Sequence, residues 1–197
     1  MRTTGALLLV GIALLSACRA KEKPPDVGQL VAQLCAGDPQ KSGQARLQLI
    51  GLGEPAVPAL SELLRSGQPA ERLAAANTLW GMGARGRAAI PDLVAALGEA
   101  DTQLRVVAAM ALENMGAAAA PAVPALVKAV GDREGAVRQA AVKALGAIGP
   151  DARDALPTLT HALRRGSWPE AEEAVRRIRG LQPGAPVDLG DEASDVR

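Results

Sequence analysis

The sequence predicts an all-α fold, a right-handed α-α superhelix of about four two-helix repeats. Three observations predict it. Residues of one type recur at a fixed step of 33 along the chain, and the apolar residues between them fall on helical faces. The 197-residue chain is also 48% apolar yet has no Phe or Tyr and only two Trp, so Ala, Leu and Val must supply the burial. A stack of thin helical layers suits such residues, because Ala lets helices approach closely.

The repeat is carried by several columns at once. Pro58, Pro91, Pro124 and Pro157 keep the step of 33, as do Gly83, Gly116 and Gly149. So do Arg72, Arg105 and Arg138; Ala75, Ala108 and Ala141; and Leu79, Leu112 and Leu145. Ala45 and Leu49 join once a three-residue deletion before Pro58 is allowed, and Ala174 and Ile178 continue the pattern in a degenerate last copy. Within a unit, Leu104, Ala108, Ala111, Leu112 and Met115 share one helical face. Gly116 ends that helix, and Pro124 opens the second, where its fixed φ and missing N–H cost nothing. Neither helix can hide its apolar face alone, so neighbouring units must stack.

The segments Val137-Arg138-Gln139-Ala140-Ala141-Val142-Lys143-Ala144-Leu145-Gly146-Ala147-Ile148-Gly149 and Ala155-Leu156-Pro157 resemble HEAT-type repeats of the short class related to phycobilisome lyases. Leu104 to Leu112 matches the same pattern, and the resemblance covers roughly residues 42 to 180. It implies a solenoid whose second helices line a concave face. It implies little about activity, since such repeats serve scaffolds, lyases and regulators alike. Ahead of the repeats, Val27 to Ala36 reads as an amphipathic helix N-capped by Asp26, with Cys35 near its apolar side. The repeat domain is therefore expected over 27–180. Residues 181–197, rich in Pro, Gly and acids, are expected to be a mobile tail.

The first residues have a different character. One cation, Arg2, precedes an apolar run from Ala6 to Leu15, which is shorter than the roughly 20 residues that span a bilayer. Small residues follow, so 1–17 reads as a secretory signal. Leu15-Ser16-Ala17-Cys18 resembles the bacterial lipobox. The resemblance implies cleavage before Cys18, a diacylglycerol thioether on its sulfur and acylation of its new amine. The expected location is the cell envelope, with the protein lipid-anchored to a membrane. Arg19 stands where an Asp would favour retention in an inner membrane, which leans toward an outer membrane facing the periplasm. Residues 18–26 form a short tether, and no other apolar stretch is expected to span a membrane.

Several patterns that could carry chemistry have simpler readings. Gly81-Met82-Gly83-Ala84-Arg85-Gly86 has the spacing of a dinucleotide loop but follows a helix rather than a strand. His161 is the only histidine, so neither a metal site nor a Ser-His-Asp triad is expected. With 22 basic residues against 21 acidic ones, the chain gives no support for nucleic-acid binding. Arg72, Arg105 and Arg138, with Glu99 and Asp132 nearby, read first as an internal ladder and second as a ligand stripe. Arg164, Arg165, Arg176, Arg177 and Arg179 read as a solvated end cap or as a surface for an anionic partner.

No catalytic residue, cofactor, metal or small-molecule substrate is expected. The function expected is a membrane-anchored scaffold binding proteins, against a lyase-like enzyme or an accessory subunit of an envelope complex. The expected binding surface uses the second helices. There Glu62, Ala95, Lys128 and His161 form one outward column, and Ala59, Asp92, Ala125 and Thr158 another. Glu62, Asp92, Lys128 and His161 are thus candidate partner-binding residues. Trp80 is a further candidate, with two readings open: an interface anchor, or a cover over the first repeat boundary.

Overall fold

The computed structural model describes residues 26–189. The signal-like residues 1–17, Cys18, the tether up to residue 25 and residues 190–197 lie outside the described part. Among the described residues there is no strand. The helices are α1 (Val27–Leu34), α2 (Pro39–Leu52), α3 (Val57–Ser66), α4 (Pro69–Met82), α5 (Ile90–Ala96), α6 (Thr102–Met115), α7 (Val123–Ala129), α8 (Gly135–Ile148), α9 (Leu156–Arg164) and α10 (Pro169–Arg179). The fold is an all-α solenoid.

The sequence columns mark the helix ends. Gly53, Gly83, Gly116 and Gly149 end the long helices with φ between 54° and 74° and ψ near −135°. That backbone region is open in practice to glycine alone. A 3₁₀ turn follows each glycine, and Pro58, Pro91, Pro124 and Pro157 then sit in the first turn of a short helix. The first 3₁₀ turn, Glu54–Ala56, is shorter than its equivalents Gly83–Ala89, Gly116–Ala122 and Gly149–Ala155, which is where the sequence lost three residues. Aspartates cap the other ends. Asp26 accepts from the Gly28 amide at 3.0 Å, Asp38 from Gln40 at 3.0 Å and Asp101 from Gln103 at 2.8 Å.

The helices pair differently from the sequence-based unit. Each short helix packs against the long helix that follows it, giving the pairs α1–α2, α3–α4, α5–α6, α7–α8 and α9–α10. Helix α1 is therefore the short member of a first pair rather than a separate cap. The long helices stack directly on one another, whereas neighbouring short helices scarcely touch. The long-helix layer is thus the more tightly packed of the two. The period of 33 shows that units repeat but not where a hairpin closes.

Small residues make the tight layer possible. Ala75, Ala76, Ala108, Ala109, Ala141 and Ala144 have no exposed surface. A Cβ added to Gly146 would lie 3.1 Å from the Ala174 Cα, and one added to Gly81 would lie 2.5 Å from the Ile50 Cδ1. Leucines fill the space between layers: Leu49, Leu60, Leu79, Leu93, Leu112, Leu126, Leu145 and Leu159 are all fully buried. The helical run Thr102–Ala129 is long and apolar enough by composition to cross a membrane, which was not expected from the sequence. Half of its most apolar stretch is buried in the stack, and it turns at Gly116, where φ is 57°.

The recurring arginines form the internal ladder. Each caps carbonyls at the end of the preceding short helix or in the loop that follows it. Arg72 Nε donates to the Leu64 carbonyl at 2.9 Å, Arg105 Nη1 to Glu99 and Ala100 at 2.9 and 3.0 Å, and Arg138 Nη1 to Asp132 and Arg133 at 2.9 and 3.0 Å. Two of them also reach an acid in the next pair, Arg72 to Glu99 at 2.7 Å and Arg105 to both Asp132 oxygens at 2.9 and 3.0 Å. Arg138 meets no acid one step on, because the equivalent position is Arg165.

The tail expectation is corrected for its first residues. Residues 181–189 run back over the last pair instead of leaving it. Arg176 Nε donates to the Ala185 carbonyl at 2.7 Å, Arg164 Nη2 to Leu189 at 2.6 Å, and Arg179 Nη1 to Asp188. Val187 and Leu189 pack half-buried against the core. The C-terminal arginines thus hold a strap over the open end of the stack. Periodicity could not show this, because the strap is held through its backbone.

The packing implies two outcomes. Ala108→Asp would place a charge without a partner between long helices, and chemical denaturation should show a loss of about 3 kcal/mol. The Arg105–Asp132 pair should make stability fall in acid. The arginine hydrogen bonds, with the Glu134 amide, hold the Asp132 carboxyl below its usual range. Its contribution is therefore whole above the ordinary aspartate value of about 3.9 and is lost as pH falls through the lower folded value. Thermal melts from pH 5 to pH 2 should show a smaller acid loss in Asp132→Asn than in the parent.

Candidate binding faces

The short-helix layer presents the expected columns. Glu62, Ala95, Lys128 and His161 are all exposed, and Ala59, Asp92, Ala125 and Thr158 are all half-buried. Within this layer Arg65 joins two of the candidate residues. Its Nη2 lies 2.7 Å from Glu62 and its Nη1 3.0 Å from Asp92. The Arg65 and Ser66 hydrogen bonds lower the pKa of the Glu62 carboxyl. Lys128 stands farther along, at the edge of a shallow hollow with Val94, Leu97, Ala125 and Asp132. His161 lies on α9, one repeat beyond Lys128. The column is a row of side chains spaced along the stack rather than a convergent site.

The long-helix layer presents a second face, set by the same helical spacing. Leu73, Asn77 and Trp80 share the side of α4 opposite the buried Ala75 and Leu79. Stepping along the stack, Leu47, Asn77, Met110, Lys143 and Arg176 form one row of this face. Ile50, Trp80, Glu113, Gly146 and Arg179 form the next. Trp80 is 41% exposed, and its carbonyl accepts from Asn114 Nδ2 of α6 at 2.7 Å. It both fronts solvent and marks the α4–α6 boundary, which leaves its two sequence readings standing together. Leu47, at 67% exposed, was not a sequence candidate, because the expected binding surface was placed on the short helices.

The face changes chemistry along its length. Over α2, α4 and α6 its members are mainly apolar: Leu47, Ile50, Leu73, Trp80, Val106 and Met110. Over α8 and α10 they are polar and charged, and a hollow of about 430 Å³ opens there, lined by Glu113, Lys143, Gly146, Glu170, Glu173 and Arg177 among others. Two of its carboxylates, Glu170 and Glu173, are held below the usual glutamate range, Glu170 by a backbone N–H and then Gln139. Arg177 lies 2.9 Å from Glu173 and lowers its pKa, and Gln139 donates to Glu170. Gly146 supplies the floor, where the missing side chain lets α8 and α10 meet.

The other patterns take structural roles. Gly81 to Gly86 spans the end of α4 and the start of the following turn. There Gly83 takes a φ of 54°, and a Cβ on Gly86 would lie 3.0 Å from Met115 Cε. Among the described residues, no group of His, Cys, Asp or Glu could hold a metal ion. Cys35 is half-buried, and burial, then the charge of Glu71, pushes its thiol pKa up.

Comparison with known proteins supports the solenoid. Residues 90–178 match the family model for HEAT repeats. No curated protein matches the chain. Among solved structures, the complex of CpcE and CpcF of phycocyanin lyase from Nostoc sp. PCC7120 is similar with a TM-score of 0.60 at 21% identity, over 75% of this chain and 94% of that one. A designed armadillo repeat protein is similar with a TM-score of 0.60 at 20% identity, over 80% and 84% of the two chains. Another, solved in complex with the peptide (KR)4, gives 0.58 at 20% identity, over 77% and 80%. At these identities the likeness is one of fold. The chain carries HEAT-like repeats.

The Glu62–Arg65 pair of the short-helix layer is exposed and should add little stability. Glu62→Lys should therefore leave the thermal midpoint within about two degrees of the parent, as for an ordinary surface change. A large drop would show that the Glu62–Arg65–Asp92 cluster holds the fold.

Proposed function

We propose that this chain is a lipid-anchored scaffold of the bacterial cell envelope that binds protein partners through its HEAT-like repeats. The observation that carries the binding reading is the continuous long-helix face, which presents side chains in register across five stacked helices. Repeat solenoids use such extended surfaces for protein ligands. Its polar half, around Glu113, Lys143, Glu170, Glu173 and Arg177, offers both charge signs with a hollow between them. That arrangement suits a partner chosen by complementary charge. The short-helix column of Glu62, Asp92, Lys128 and His161 is a second surface for the same assembly.

The anchor reading rests on Leu15-Ser16-Ala17-Cys18 after a short apolar run. Each buried acyl methylene contributes about 0.8 kcal/mol, so two or three chains would hold the domain at a membrane. Where the envelope has an outer membrane, Arg19 after Cys18 favours that membrane, with the domain facing the periplasm. A scaffold needs no reactive centre, and His161 stands on the exposed side of α9, with no acidic partner among the described residues. The likeness to a phycocyanin lyase complex concerns fold and not reaction.

The test is crosslinking in native membranes followed by identification of captured proteins. Cys18→Ser should move the protein out of the membrane fraction, and mass spectrometry of the mature N-terminus should find an acylated Cys18. Glu113→Lys combined with Glu170→Lys should keep the helical circular dichroism while reducing capture at least about tenfold, a loss of about 1.4 kcal/mol or more. Capture of the same partners at unchanged yield would refute the long-helix face, and an unmodified N-terminus would refute the anchor.

A further inference from the structure

We infer that the apolar N-terminal part of the long-helix face, centred on Leu47 and Trp80, rests in the headgroup region of the membrane that carries the anchor. This rests on the lipoprotein reading and goes beyond it, since an anchor alone leaves the domain free to turn.

Three observations point to a bilayer as the occupant. The first is chemistry. The exposed large apolar residues among those described are Leu47, Trp80 and Leu181, and the first two lie on adjacent long helices of one face. Half-buried Ile50 and Leu73 surround them. An indole beside aliphatic side chains suits the membrane–water interface, where one end of the ring is wet and the other apolar.

The second is charge. Neither α1 nor α2 contains an Asp or Glu. Asp26 and Asp38 are turned into helix caps, and Asp38 is also paired with Lys41 at 3.5 Å. Glu71 of α4 is turned to the Gln68 amide at 2.8 Å. Arg46, exposed beside Leu73 and Asn77, has no acidic partner among the described residues. The rest of the exposed surface of these two helices is neutral, with Gln29, Gln33, Gln40, Gln44 and Gln48 all facing solvent. Such an end, where Glu54 just beyond α2 is paired with Arg87 at 3.4 Å, meets anionic headgroups with little repulsion.

The third is reach. Only residues 19–25 separate Cys18 from the helix cap at Asp26. Fully extended they span roughly 25 Å. The first pair of helices is thus held at the membrane surface, and the apolar face within it has the bilayer as its nearest large apolar phase.

The experiment uses the full chain carrying Trp168→Phe, purified with its lipid and placed in vesicles of mixed phosphatidylethanolamine and phosphatidylglycerol. Trp80 is then the only tryptophan. Its emission should shift to shorter wavelength and fall about twofold when the acyl chains are brominated near the headgroups. Leu47→Glu, at an exposed position, should abolish the quenching while circular dichroism stays unchanged. Arg46→Glu should weaken it most at high phosphatidylglycerol. A chain acylated at Cys18 whose Trp80 is equally bright with and without bromine would overturn the inference and leave the anchor standing. A chain without lipid would overturn the anchor, and the inference with it. A blue shift that appears only on adding solubilised envelope proteins would assign Trp80 to a protein partner and overturn the inference.

Discussion

The close contact between successive long helices is the constraint on which the rest of the structure depends. Stacking α4, α6, α8 and α10 directly on one another requires small residues where their backbones meet, and Ala76, Ala109, Gly146 and Ala174 supply them. Each contact buries little area by itself. Repeated along the stack, it lets a chain without Phe or Tyr close its interior with aliphatic side chains, leucine foremost among the large ones. The same closeness brings Arg72 within reach of Glu99 and Arg105 within reach of Asp132, so the ladder follows from the packing. Arg105 is almost fully buried, and its four hydrogen bonds to carbonyls and a carboxylate leave no orphaned polar group there.

Much of this was legible in the sequence. A column of glycines and a column of prolines at the same step define a helix end and a helix start, because each residue type has one backbone reason to be there. The leucine and alanine columns identify the core, and the arginine column with acids nearby identifies the ladder. What the sequence did not reveal was the phase of the hairpin. Periodicity is unchanged by where a unit is cut, so the long helix was paired with the short helix after it rather than the one before. That choice placed the expected binding surface on the short-helix layer. The strap was missed for a different reason. Residues 181–189 have no repeating pattern, and the arginines hold their carbonyls, which every sequence possesses.

The candidate residues divide along the same line. Glu62, Lys128 and His161 were placed by periodicity and are indeed outward, since counting helical faces is insensitive to hairpin phase. Asp92 was expected on the rim but is drawn into an ion pair with Arg65. Leu47 was not selected because it lies on a long helix, and the expected binding surface used the short ones. Its exposure could not be inferred from a column whose other members are polar or half-buried. The gradient from apolar to charged along the long-helix face is equally invisible in any single repeat, since it appears only when rows from different repeats are laid side by side.

That gradient gives the stack a direction. A repeat protein built from identical units would offer the same surface at each step and bind without a fixed register. Here the N-terminal helices carry glutamines, Arg46 and exposed apolar groups, while the C-terminal helices carry carboxylates already held by Arg176 and Arg177. Charged groups kept in place by neighbours present a fixed pattern at little cost in entropy when a partner arrives. The strap reinforces that order, because Arg176 holds both the Ala185 carbonyl and Glu172. The last described pair thereby gains, through the strap, backbone contacts beyond those it makes with the pair before it.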